Sequence, residues 1–250
     1  MNQLNPFNQS NNKQRIFMLS RRLALHSLGA LSATALASSA QAQSCDVFTS
    51  STQGATTPDA ALQMLKDGNV RFVDGRTRNC DLRKQVKETA TQQSPIAVVV
   101  GCIDSRVPPE FVFDQRLGDI FAARVAGNFV NTDILGSLEF ATKLVGSKLI
   151  VVLGHTECGA IKGAADDAKM GNLTATLANI RPSLGKLNYK GVPSSRDKVL
   201  VQQLADQNAR DAAKMIMDKS EVVATLVKEG KLKIVSAMHD VSTGKVSWFA

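Results

Sequence analysis

The chain has few aromatic residues and no long apolar run. It contains one Trp and one Tyr among 250 residues. Its mildly apolar N-terminal stretch, Leu23 to Ala37, is too short and too rich in Ala, Ser and Gly to cross a bilayer, which takes about 20 strongly apolar residues. We therefore expect no stable membrane anchor. A content of 44% hydrophobic and 21% charged residues excludes a disordered or collagen-like chain.

The positive charge does not indicate a nucleic-acid-binding protein. The formal net charge is +8, but residues 1–42 hold four basic residues and no acid. Without them the chain has 26 basic and 22 acidic residues, a net charge of +4, with no basic tract. Because few aromatic residues accompany that charge, the sequence predicts no nucleic-acid partner.

The first 42 residues have the order of parts found in an export signal. A polar start leads to Arg21-Arg22, then to the apolar stretch, then to the small-x-small cleavage site Ala40-Gln41-Ala42. The paired arginines resemble a twin-arginine signal, a type read by export machinery that carries folded proteins. The sequence thus predicts a periplasmic protein cleaved near Ala42. The alternative is an unstructured or membrane-surface N-terminus on a cytosolic enzyme.

Beyond residue 42 we expect an N-terminal arm (43–57) and one domain (58–250) of α/β class. Its central sheet is predicted to be mostly parallel and flanked by helices, with an antiparallel last strand. Apolar runs at 98–101, 120–125, 149–154, 232–238 and 245–249 predict the strands. Helical patterns occupy 58–75, 81–89, 131–144 and most of 172–228, with breaks near Arg181-Pro182 and at 191–193.

Three metal-binding side chains follow two of these strands. Cys102 comes directly after the valine run, and His155 and Cys158 follow the next buried strand. Neighbouring parallel strands place their carboxyl ends at one edge of the sheet, where ligands bind. Two thiolates and one imidazole suit a zinc ion, and three protein ligands leave a fourth position open, as in catalytic zinc sites. The pattern therefore predicts one Zn²⁺ per chain.

Two further cysteines, Cys45 and Cys80, lie outside the predicted metal site. In an oxidising compartment a spare pair suggests a disulfide. Cys45 lies near the predicted mature N-terminus, and Cys80 follows the first predicted helix. A bridge between them would fasten the arm to the domain.

Together these motifs resemble those of the β-class carbonic anhydrase family. The resemblance rests on Cys102-Ile103-Asp104-Ser105-Arg106 and Gly154-His155-Thr156-Glu157-Cys158-Gly159, and it extends over roughly residues 58–250. Further matching stretches are 107–110, 118–121, 124–128 and 136–139. The resemblance implies a zinc lyase that converts carbon dioxide to bicarbonate and a proton. It also implies a homodimer or a dimer of dimers.

The resemblance also implies roles for three other residues. The fourth zinc ligand is either water or, in a closed state of the site, Asp104. Arg106 pairs with Asp104 and thereby opens the site. Family members that favour the closed state carry an aromatic residue three positions before the first cysteine, where this chain has Val99, so we expect an open site. Gln93 resembles a substrate-contacting glutamine of some members, although a Gln before Ser94-Pro95 is also ordinary in a loop.

Two alternatives to carbon dioxide hydration stay open at this point. A carbonyl sulfide or carbon disulfide hydrolase of the same fold would use the same ligands and differ in access to its pocket. A non-enzymatic zinc-binding protein would have no use for Asp104 and Arg106, and both are present.

Overall fold

A five-stranded sheet organises the computed structural model, which describes residues 45–249. The predicted export signal and its cleavage site lie outside these residues. The strand order is β2-β1-β3-β4-β5, with parallel pairing from β2 to β4 and antiparallel pairing of β5. The predicted fold class is confirmed. The strands are β1 (Ala97–Gly101), β2 (Ile120–Arg124), β3 (Leu149–His155), β4 (Lys233–His239) and β5 (Val246–Trp248).

The two central strands bring the predicted ligands to one edge of the sheet. All residues of β1 and β3 are buried, as expected for strands covered on both faces. In their register Gly101 lies opposite Leu153. Cys102 follows Gly101, and His155 ends β3 two residues after Leu153, so both side chains emerge at the same carboxyl edge.

Helices cover both faces of the sheet. On one face Leu65 and Phe113 pack with Val99 and Val151, and on the other Leu138 and Ile216 pack with Val98, Val100 and Val152. Successive valines of one strand face opposite sides of the sheet because side chains along a strand alternate with a period of two residues. The helices are α1 (Ser50–Ala55), α2 (Pro58–Val73), α3 (Leu82–Thr89), α4 (Pro109–Val112), α5 (Thr132–Glu139), α6 (Gly159–Ala165), α7 (Gly171–Ala178), α8 (Arg181–Gly185), α9 (Lys198–Lys219) and α10 (Glu221–Lys228).

Local sequence signals account for where α2 and α5 begin. Thr57 caps α2 by accepting a hydrogen bond from the Ala60 N–H, and Pro58 occupies the first turn, where its missing N–H costs nothing. Gly75 follows α2 with φ +66°, a conformation that favours glycine. Asn131 caps α5 through the Ile134 N–H. The predicted starts of both helices are confirmed.

The helix break predicted near Arg181-Pro182 is confirmed, since α7 ends at Ala178 and Pro182 lies in the first turn of α8. Two features depart from the sequence-based expectations. The helix after Asn131 changes into a π-helical turn at Phe140–Leu144. The arm contains α1, whose short polar sequence carries no apolar period. A hydrophobic pattern cannot reveal elements of one or two turns.

The arm is fastened to the domain in two ways. Cys45 and Cys80 are joined by a disulfide, with their Cα atoms 5.6 Å apart. In α1, the buried Gln53 side chain donates hydrogen bonds to the carbonyl oxygens of Pro95 and Val145 at 2.7 and 3.1 Å. Along residues 45–249, no helix combines the length and apolarity needed to span a bilayer.

Candidate metal centre

The three predicted ligands form one buried cluster. Cys102 follows β1, His155 ends β3, and Cys158 is the N-cap residue of α6. One potential ligand atom from each lies within 4.8 Å of those of the other two, and the two sulfur atoms are 3.9 Å apart. The topology thus brings residues 53 positions apart to within reach of one ion.

The orientation of His155 suits metal binding. Its Nδ1 lies 2.9 Å from the Thr156 carbonyl oxygen, which can only accept, so the proton belongs on Nδ1. Its Nε2 then carries a lone pair, and this buried atom has no hydrogen-bond partner among the described residues. Metal-binding imidazoles are commonly fixed in this way through their second nitrogen. A metal ion would supply the missing partner of Nε2.

The two thiols also indicate a cation. Its surroundings, chiefly a hydrogen bond from Cys158, lower the pKa of Cys102 to about 4. The same pairing with Cys102, together with burial, raises the pKa of Cys158. Two buried sulfurs at this distance therefore cannot both ionise by themselves, whereas a divalent cation stabilises both thiolates. The donor set of two sulfurs and one nitrogen fits zinc.

Asp104 lies beside the cluster and is held by Arg106. The Arg106 Nε and Nη2 atoms donate to the two carboxylate oxygens at 2.9 and 2.7 Å, and the Arg106 backbone N–H adds a third hydrogen bond. These contacts hold the pKa of Asp104 well below its usual range. Its Oδ2 atom lies 3.9 Å from His155 Nε2. The carboxylate is therefore charged, fixed and close to the predicted metal position.

Arg124 positions the segment between Cys102 and Asp104, a role that the sequence analysis missed. Its Nε donates to the Cys102 carbonyl oxygen at 2.7 Å, and its Nη2 donates to the Asp104 carbonyl oxygen at 2.6 Å. The only sequence signal was its place in the stretch 124–128. The role depends on β2 pairing with β1, which sets Arg124 opposite Gly101.

A cavity of about 250 Å³ opens next to the ligands. Cys102 and Asp104 line it, and Gly159 and Gly163 leave room at its wall. The remaining wall is largely apolar, formed by Ile103, Ala126, Ala160, Leu173 and Leu177. Such a cavity suits a small, weakly polar molecule and leaves little for a large polar substrate to bind.

Gln93 is the one predicted site residue that the chain does not bring to the cluster. It is exposed and precedes β1, whereas Cys102 follows the opposite end of that strand. Its contact with substrate stays a prediction.

His239, which the sequence analysis did not single out, lies opposite His155 in the β3–β4 register. Burial and the nearby His155 lower the pKa of His239 to about 4, so it is neutral near pH 7.

The fold and the cluster together define an α/β protein with three potential metal ligands at the carboxyl edge of a parallel sheet. A metal ion bound by three protein donors would keep one position for a further ligand, as in catalytic sites. A model of the carbonic anhydrase family matches residues 97–246 of the chain. With the relatives and structures described next, this match shows that the chain belongs to the β-class carbonic anhydrase family.

Curated relatives and solved structures agree with this assignment. Carbonic anhydrase 2 of Mycobacterium tuberculosis is 34% identical over 195 residues, covering 76% of this chain and 92% of the relative. A carbonic anhydrase of Mycolicibacterium smegmatis is 35% identical with the same coverage. The β-carbonic anhydrase CafA of Aspergillus fumigatus superposes with a TM-score of 0.59 at 26% identity, covering 76% of this chain and 89% of CafA.

A second structural match supports the fold alone. It belongs to a Sordaria macrospora β-carbonic anhydrase that is described as tetrameric, with a TM-score of 0.57 at 23% identity. The match covers 67% of this chain and 90% of that one.

Proposed function

We propose that this protein catalyses the zinc-dependent, reversible hydration of carbon dioxide to bicarbonate and a proton. The observation that carries the proposal is the buried cluster of Cys102, His155 and Cys158, of which Cys102 lines a small, largely apolar cavity. Membership of the carbonic anhydrase family supports the same reaction. A zinc ion held by the three side chains would supply Lewis acidity, which lowers the pKa of water.

The chain's own residues prepare the reacting groups. Because Arg106 lowers the pKa of Asp104, the carboxylate stays ionised near pH 7 and accepts hydrogen bonds without taking the proton. The carboxylate can thus orient a water molecule that lies between the ligand cluster and the cavity. The apolar side chains of Leu173 and Leu177 exclude other water and leave space for carbon dioxide.

Stopped-flow carbon dioxide hydration with metal analysis of the same sample tests the function. We expect about one zinc per chain, and we expect Cys158→Ala to lose both zinc and activity. The double variant Cys45→Ser/Cys80→Ser serves as the matched cysteine control and should retain zinc. Full zinc occupancy in Cys158→Ala would contradict the proposed site.

Substrate assays separate the proposal from its alternatives. The zinc-loaded protein should be tested with carbon dioxide, carbonyl sulfide and carbon disulfide. Turnover of a sulfur compound without carbon dioxide hydration would identify the hydrolase alternative. Zinc binding without turnover of any of the three would indicate a non-enzymatic protein.

We also propose that the protein is exported by the twin-arginine route and works in the periplasm, beginning near Gln43. The Cys45–Cys80 disulfide supports this location, since disulfides persist in oxidising compartments. Export after folding would let the chain acquire zinc before transport. N-terminal sequencing of protein from the periplasmic fraction of native cells should start near Gln43. Protein that keeps Met1 and stays in the cytoplasm would contradict export.

A homodimer or a dimer of dimers is the assembly that we propose. The strand β2 is one of the two edge strands of the sheet within residues 45–249, and Phe140, whose ring lies 6.2 Å from that of Phe121 on β2, is 46% exposed. Leu144, in the same π-helical turn as Phe140, is 76% exposed. A second copy would cover this apolar surface and the unpaired strand edge. Sedimentation equilibrium should therefore find no monomer at micromolar concentration. A fully active monomer at nanomolar concentration would refute the assembly.

A further inference from the structure

The thiolate ligand Cys102 receives a hydrogen bond from the protein backbone. The Gly127 N–H donates to the Cys102 sulfur at 3.3 Å. Gly127 lies in the turn after β2 and has φ +85°. A Cβ atom at this position would lie 2.4 Å from Ile180 Cδ1, so both the backbone conformation and the packing require glycine.

A buried side chain on α9 holds the same residue from its other side. Asn208 is 2% exposed, and its Nδ2 donates to the Gly127 carbonyl oxygen at 2.8 Å. Asn208 lies near the middle of the 22-residue helix α9, which packs against β3 and β4. The amide is therefore anchored in a rigid part of the core.

We infer that Asn208 is a positioning residue of the metal centre, acting through Gly127 on Cys102. This inference rests on the proposed zinc site. By fixing the Gly127 carbonyl, Asn208 limits rotation of the turn and keeps the Gly127 N–H directed at the sulfur. Of the two residues that place this donor, Gly127 makes the contact and Asn208 holds Gly127 in place.

The N–H···S hydrogen bond has two consequences for the centre. It withdraws electron density from the thiolate, so the sulfur donates less charge to the metal and the metal stays more electrophilic. It also keeps the sulfur pointing toward the other two ligands, and this restraint slows loss of the metal. Outer partners of metal ligands commonly change affinity or activity by about 10- to 100-fold.

The test compares Asn208→Ala with Asn69→Ala. Asn69 is also a buried asparagine, and it donates to the Val112 and Gly244 carbonyl oxygens instead of a residue next to the ligands. Each variant therefore loses one buried amide, and thermal unfolding should show that both are destabilised. Only in Asn208→Ala does the lost amide hold Gly127, whose N–H group donates to Cys102.

Three measurements follow on each variant. In the cobalt-substituted protein, the sulfur-to-metal charge-transfer band of Asn208→Ala should move to longer wavelength, because an unbonded thiolate donates more readily. Transfer of zinc to a chelator should become about 10-fold faster. The kcat for carbon dioxide should fall with little change in KM. Asn69→Ala should match the unmodified protein in all three, and equal changes in both variants would overturn the inference.

A measurement on the unmodified protein keeps the test valid if Asn208→Ala fails to fold. With ¹¹³Cd in place of zinc, NMR should show a scalar coupling between the Gly127 amide proton and the metal through the Cys102 sulfur. Absence of that coupling would overturn the inference. If the coupling is present but the unmodified, zinc-loaded protein does not hydrate carbon dioxide, the proposed function is refuted and the positioning role stays intact.

Discussion

Replacing both Cys45 and Cys80 with Ser should lower the stability of the protein without removing its metal. The two residues are 35 positions apart in sequence, so their disulfide closes a long loop in the unfolded chain. The bridge lies away from the ligand cluster, and Cys102 and Cys158 are the free cysteines of the described residues. The effect on unfolding should therefore be separable from any effect on zinc.

The magnitude follows from the entropy of loop closure. For a loop of this length, the chain-entropy relation gives about 3.8 kcal/mol of stabilisation at 25 °C. For a domain of this size, the double variant should then unfold roughly 8–15 °C lower. Gln53 keeps its two hydrogen bonds to the domain in the variant, so α1 should stay docked in the folded state.

Thermal unfolding of the zinc-loaded chain without residues 1–42 provides the measurement. Cys45→Ser alone and Cys80→Ser alone are the controls, and each should lose as much as the double variant because either change breaks the bridge. Thiol counting on the denatured, unreduced and metal-free protein should find two free thiols. Four thiols, or a double variant that unfolds within about 2 °C of the unmodified protein, would refute the reasoning, since the expected shift is several times larger.

Two further changes probe the site. Arg106→Lys keeps the charge but loses the paired donors to Asp104, so kcat/KM should fall by about 10- to 100-fold. The unfolding temperature should change little, since the Arg106 side chain is 50% exposed. Unchanged stopped-flow rates would contradict a role for the pair. Leu173→Trp should fill the cavity and abolish hydration at constant zinc content. The exposed control Val192→Trp should stay active, and a fully active Leu173→Trp would show that substrate enters elsewhere.

The sequence by itself determined the sheet and predicted the cluster of Cys102, His155 and Cys158. Valine runs at the centre of a sheet leave a signal that local reasoning can detect, because both faces of the strands are buried. Cys102, His155 and Cys158 follow two such runs, and the topology of parallel strands requires their ends to meet. The starts of α2 and α5 could also be predicted from the local sequence, because the Thr57 and Asn131 side chains accept hydrogen bonds from N–H groups in the first turns of the helices that they cap.

Only the tertiary structure decided which groups support those ligands. Asn208 and Gly127 are 81 positions apart, and no spacing rule relates a residue on α9 to the turn after β2. Arg124 reaches the Cys102 and Asp104 carbonyl oxygens because two strands pair in one particular register. The cavity likewise needs α7 to bring Leu173 and Leu177 over the ligands. These contacts depend on how distant elements pack, whereas a ligand motif depends only on the strand that precedes it.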